Sequence, residues 1–183
     1  MTYVTYLEKE KKRTYPITFR LAERLVEDLK KEAESNKVSL NTLVNQLFDR
    51  YMVWERHSAK LGLIPVSRSF VKETLQHLTD EKIKQMARHV SKDALKELVL
   101  ITKGDFTLNS FISVFNEWLR ASLITYRYEY DGKVHHYVIH HELGERWSLY
   151  VSELLIAICK DLVTIRLEFE VRKSSVSFSL HEA

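Results

Sequence analysis

The sequence predicts an α+β protein in two parts. Three observations carry this. A short alternating run at residues 17–21 leads into two amphipathic helical patterns. A Gly- and Pro-bearing stretch, "AKLGLIPVSR", interrupts the helical grammar at 59–68. Beyond residue 122 the pattern turns to aromatic-rich alternation around Asp131-Gly132, then one helix, then alternation again. Runs of helices followed by hairpin strands belong to α+β architectures with an antiparallel sheet. The chain is 183 residues long, enough for one large or two small domains. Its divisions are expected as a basic arm at 1–13, a strand–helix–helix unit at 14–57, a linker at 58–66 and a C-terminal α+β domain at 67–183.

Ile17, Phe19 and Leu21 alternate with Pro16, Thr18 and Arg20, which is the period of a strand with one apolar face. Leu21, Leu25, Leu29 and Ala33 then recur every fourth residue, as on a helix. Ser35-Asn36-Lys37 breaks that helix, with Asn36 expected to take the left-handed conformation. Ser39 is a good N-cap for a second helix. In that helix Leu40, Leu43, Val44, Leu47, Phe48, Tyr51 and Met52 form a three-four stripe reaching about His57.

Four helical segments are expected after the linker: about 67–78; one starting at the cap "TDEK" (79–82); one starting at "SKDALKELVL" (91–100) and ending near Lys103-Gly104; and 107–122, with Phe111, Val114, Phe115, Trp118 and Leu119 facing inward. Asp131-Gly132 predicts a type I′ hairpin turn. Residues 144–162 read as a helix. Residues 164–180 read as one long strand or a second hairpin broken at 172–175.

Charge and composition exclude several classes. Apolar content of 45% and charge of 29% are ordinary for a globular protein. No run approaches the ~18 apolar residues of a membrane span, and "MTYVTYLEKEKKR" lacks the pattern of a signal peptide, so a cytoplasmic location is expected. Cys159 is the only cysteine, which rules out an intrachain disulfide or a cysteine-based zinc cluster. Net charge is only +3, but Lys9, Lys11, Lys12, Arg13 and Arg20 crowd the first twenty residues, an electrostatic footprint for phosphate.

A lone strand cannot bury its apolar face by itself. Pairing with the same strand of a second copy makes a two-stranded antiparallel ribbon, and such a ribbon fits the major groove of B-DNA. The order "ITFRL", "AERLVEDLKKEAESN", break, "SLNTLVNQLFDRYMVWE" resembles the ribbon-helix-helix DNA-binding domain of the Arc and methionine repressors and many antitoxins. The resemblance covers roughly residues 14–56. It implies a swapped-strand homodimer with Ile17, Phe19, Leu21, Leu25, Leu43 and Leu47 in the shared core. It implies that Thr18 and Arg20, with Pro16 at the strand's start, read bases. It further implies that Lys11, Lys12, Arg13, Lys37, Ser39, Leu40 and Asn41 hold phosphates, the last three through the amino end of the second helix. The break departs from the family by lacking glycine, and Pro16 cannot donate a hydrogen bond.

The expected function is therefore a sequence-specific transcriptional regulator, a repressor-like homodimer that binds double-stranded DNA and assembles further on it. Its effector is left open. No cofactor, no metal and no membrane partner is expected, and no enzymatic activity, since no nucleophile elbow, P-loop, Rossmann fingerprint or zinc-protease signature is present. Two alternatives stay open: an antitoxin-like or scaffold protein-interaction module, and a metal-responsive repressor using His135, His136, His140 and His141. On a strand, His135 and His141 share one face and His136 and His140 the other. Same-face pairs are then about 13 Å or more apart, so a metal site would need Cys159, His181 or another subunit. "HHELGERWSLY" (140–150) offers Gly144 and the amides after it to an anion, but Trp147 and Tyr150, one turn apart, read first as packing residues.

Overall fold

The structure of the protein, a computed structural model, describes residues 14–162 and 165–182. Among these, residues 14–22 form no regular element and lie exposed. The strand expected over 17–21 is not formed within the single chain. α1 is Glu23–Ser35 and α2 is Leu40–Arg50, which runs through a π turn, Tyr51–Glu55, into α3, Arg56–Lys60. The helix thus passes His57 and enters the expected linker. Trp54 and Leu61 pack against the main core, so the N-terminal helices are joined to the rest by packed side chains as well as by chain.

α4 is Arg68–Gln76, capped by the Ser67 hydroxyl, which accepts from the Phe70 amide at 3.2 Å. α5 is Asp80–Val90, with Thr79 as cap and Asp80 and Glu81 in the first turn, where carboxylates favour the helix dipole. Ser91 does not start a new helix. A π turn, Ser91–Leu95, carries α5 into α6, Lys96–Lys103, and the Ser91 hydroxyl donates backwards to the Arg88 carbonyl at 2.9 Å. α7 is Leu108–Ala121, with the Thr107 hydroxyl as its cap. It ends where Leu123 takes a positive φ and Ile124 donates to the Leu119 carbonyl at 2.9 Å, a left-handed closing motif.

Four antiparallel strands follow: β1 Thr125–Tyr130, β2 Val134–His140, β3 Ile165–Val171 and β4 Ser175–Glu182, in the spatial order β1-β2-β4-β3. The 164–180 region is a hairpin, not one long strand. The first hairpin does not use a type I′ turn: Asp131 donates to the Val134 carbonyl at 3.3 Å, so the central residues are Gly132 and Lys133, and of these only Gly132 has positive φ. Instead the Asp131 carboxylate accepts from the Lys133 and Val134 amides, both at 2.9 Å. Those backbone bonds, Val134 first, hold its carboxyl below the usual range.

α8, Glu145–Asp161, lies over one face of the sheet. Alternation sends His135, Tyr137 and Ile139 of β2 and Val176, Phe178 and Leu180 of β4 into the core. Phe111, Phe115 and Leu119 of α7 and Val151, Leu155 and Ile158 of α8 meet them there. Each such buried side chain contributes about 1.5–3 kcal/mol by leaving water. The opposite face is wet and polar, as antiparallel sheets allow, and carries Arg127, Glu129, His136, Glu168 and the serines of β4. Among the described residues, no single helix is long and apolar enough to cross a membrane.

Candidate nucleic-acid interface

The break between α1 and α2 is built by a left-handed residue, but not the one expected. Asn36 remains right-handed (φ −82°), and Lys37 takes φ +55°. Lys37 donates to the Glu34 carbonyl and Val38 to the Ala33 carbonyl, both at 3.0 Å, which together make a Schellman cap without glycine. Asn36 contributes differently, donating its side-chain amide to Glu32 at 2.8 Å. The cap leaves the Lys37 side chain exposed just before the amino end of α2.

At that end the Ser39 hydroxyl accepts from the Thr42 amide at 3.0 Å. The Thr42 donor is thereby satisfied, and the amides left facing outward from the first turn are those of Leu40 and Asn41. No acidic residue occupies this first turn, in contrast to α5. Partial positive charge from the helix end thus stands beside Lys37 with no carboxylate in the turn to cancel it.

Pro16, Thr18 and Arg20 are exposed. Among the described residues no carboxylate forms an ion pair with Arg20. The apolar residues of the same segment are exposed too: Ile17 by 71%, Phe19 by 53%, Leu21 by 48% and Leu25 by 47%. Phe19 reaches across to α2 and meets the Phe48 ring edge-on, 5.6 Å between centroids. Phe48, Tyr51 and Met52 are themselves about half exposed. Of the six residues assigned to a shared dimer core, only Leu43 is buried within the chain, and Leu47 is half-buried. Lys11, Lys12 and Arg13 lie outside the described residues.

The histidines of 135–141 are dispersed. His135 is buried against rings, its Nδ1 2.8 Å from the Tyr128 hydroxyl and its ring 4.3 Å from that of Tyr130. His136 is on the wet face, 2.9 Å from the Ser179 hydroxyl. His141 follows the strand and is buried beside Trp147, ring centroids 4.4 Å apart. Among the described residues no three His, Cys, Asp or Glu side chains converge on a point where an ion could sit.

His141 and Ser148 are the pair that sequence reading missed, being seven residues apart with no motif between them. They do not form a nucleophile and base. The His141 Nδ1 accepts from the Leu143 amide at 3.1 Å, so the ring proton is on Nε2, which faces the Ser148 hydroxyl at 2.8 Å. The hydroxyl in turn donates to the Arg172 carbonyl at 2.8 Å. A hydroxyl that receives a proton from imidazole and gives its own to a carbonyl is not activated for attack. Cys159 is equally unsuited, since burial pushes its thiol up to about 12. Trp147 and Tyr150 pack inward, Trp147 stacking on Trp118 at 6.2 Å. Compared with known protein families and with curated proteins, the sequence matches none.

Proposed function

We propose that the protein is a homodimeric, sequence-specific DNA-binding regulator. The observation that carries this reading is the row Ile17, Phe19, Leu21 and Leu25, left exposed by a single chain directly in front of two helices. Free apolar side chains in that position are what a partner strand would cover, forming an antiparallel ribbon over the helices of both copies. Thr18, Arg20 and the start at Pro16 then lie on the ribbon's outer face. Arginine can bond guanine O6 and N7 together, and threonine can meet a base edge or a thymine methyl. Lys37, with the Leu40 and Asn41 amides beneath the Ser39 cap, and Lys11, Lys12 and Arg13 of the arm, take phosphates. The C-terminal α+β domain adds assembly contacts or effector response. The metal-responsive alternative would draw on ligands from a second subunit, since no three such side chains converge among the described residues of one chain.

The test is selection from a random duplex pool at two salt concentrations, followed by sequencing. An enriched pseudo-palindrome, lost in Arg20→Ala, supports base reading by the ribbon. Weak binding without enrichment that vanishes at the higher salt rejects it, and leaves the apolar row as a surface for a protein partner.

A further inference from the structure

Among the described residues the sheet ends at β3, and an open groove of about 490 Å3 runs between this edge strand and α8. Ile156 and Cys159 line one side, and Ile165, Leu167 and Phe169 line the other. At the opposite edge, β1, the Tyr126 ring stacks on Tyr137 at 6.4 Å and the Tyr128 ring meets it tilted at 4.8 Å. We infer that β3 pairs with β3 of a second copy, antiparallel about a two-fold axis at Leu167, joining two four-stranded sheets into one of eight strands.

The backbone permits this. Arg172 donates to the Ser175 carbonyl at 2.9 Å, so by alternation the even-numbered residues of β3 bond to β4 and the odd-numbered ones point their N–H and C=O outward. Leu167 therefore exchanges both bonds with its own copy. Phe169 donates to the partner's Ile165 carbonyl; the Ile165 N–H is already held by Leu162 at 3.2 Å. The apolar side chains of both strands then fall on the groove face.

The charges select the occupant and its register. The wet side of β3 reads Arg166, Glu168, Glu170, with Arg172 just beyond. A two-fold axis at Phe169 would set Glu168 against Glu170 and Arg166 against Arg172. An axis at Glu168 would set that carboxylate against itself. An axis at Leu167 sets Arg166 against Glu168 twice and opposes no like charges. Charged edge strands usually deter pairing. This one deters it in the neighbouring registers and favours it in one. The interface does not involve the N-terminal apolar row, so it stands or falls separately. With both surfaces in use, each chain has two self-complementary contacts and the assembly exceeds a dimer.

The experiment is disulfide trapping in the full chain carrying Cys159→Ala. In the Leu167 register, a cysteine at 167 meets its copy at a Cα separation of about 5.5 Å, within disulfide reach. A cysteine at 169 is about 13 Å from its copy and out of reach. Leu167→Cys should cross-link under mild oxidation at least roughly ten-fold faster than Phe169→Cys. Adding Arg166→Glu should slow it by about ten-fold, the effect of two cross-strand charge reversals, and adding Glu168→Arg should restore it. Circular dichroism checks that each variant is folded. Equal rates at the two positions, faster trapping at 169, or indifference to the charge reversal would overturn the inference.

Discussion

His141 and Ser148 are fixed to one another by a hydrogen bond of 2.8 Å in which imidazole is the donor, and burial of His141 depresses its basicity to a pKa of about 4. The neighbouring His140 adds a smaller depression. The unfolded chain, with an ordinary histidine, takes up a proton between about pH 6.5 and 4 while the folded chain does not. Stability is then full above about 6.5, declines as pH falls through this window, and loses no more from this group below about 4. The decline amounts to at most about 3 kcal/mol. Urea denaturation across this range checks it: the slope should flatten in His141→Gln, whatever that variant's stability at pH 7.

Lys37→Gly separates folding from binding at one position. The native φ of +55° is left-handed, which glycine adopts without penalty. The variant should gain roughly 0.5–1 kcal/mol in urea denaturation. In the DNA-binding reading it should also lose affinity evenly across sequences and flatten the salt dependence by about one phosphate. Unchanged affinity would remove Lys37 from the phosphate contacts.

Ser39→Ala removes the acceptor for the Thr42 amide and should cost about 1 kcal/mol, measured by thermal or urea denaturation. Ser39→Asp keeps the cap and should retain most of that stability. It places a carboxylate where the reading needs a phosphate, and should bind DNA more weakly than Ser39→Ala does.

Gly144 sits at φ 88°, ψ 170°, a region nearly closed to other residues, directly before α8. A methyl group there would meet no atom within 4 Å, so any penalty belongs to the backbone alone. Gly144→Ala should destabilise by about 1–3 kcal/mol. A loss well above this would show that the change displaces the Leu143–His141 bond as well.

Phe115 stands at the meeting of α7 and the sheet, with Trp118, Tyr137 and Phe178 rings centred 5.6–5.9 Å away. Phe115→Ala should cost about 3–5 kcal/mol, the range for a large cavity in a packed core. Tyr137→Phe removes only the bond from its hydroxyl to Asn116 and should cost about 1 kcal/mol.

The elements most legible in the sequence were those with strong periodicity. The alternation of Tyr126–Tyr130 and Val134–His140 gave a hairpin, and Thr107, Thr79 and Ser39 marked helix starts that their hydroxyls cap. Failures occurred where one local signal has two physical uses. Ser91 has the look of an N-cap, yet its hydroxyl bonds backwards to Arg88 inside a continuous helix. Asp131-Gly132 signals a turn correctly, but the carboxylate builds it by side-chain bonds. Asn36 is the residue type favoured for a left-handed cap, and Lys37 took the position because the helix ended one residue later. The His141–Ser148 contact was invisible because it depends on how β2 enters α8. Residues 17–21 alternate like a strand, but a strand needs a neighbour, and neighbours belong to assembly.

The π turn at Tyr51–Glu55 has a geometric consequence for the joint between the two helical parts. A π turn holds one residue more than an α turn, so the chain there behaves as though a single amino acid had been spliced into a finished helix. Taking one residue out of 51–55 would restore ordinary winding. It would leave Ser39 and the aromatic pair Phe19–Phe48 facing nearly as they do relative to Trp54, whereas keeping every residue and winding the segment as ordinary α-helix would turn them by about 100° around the axis. The widened turn, by absorbing the surplus residue, therefore sets the angle at which residues 14–50 are presented to the rest of the molecule.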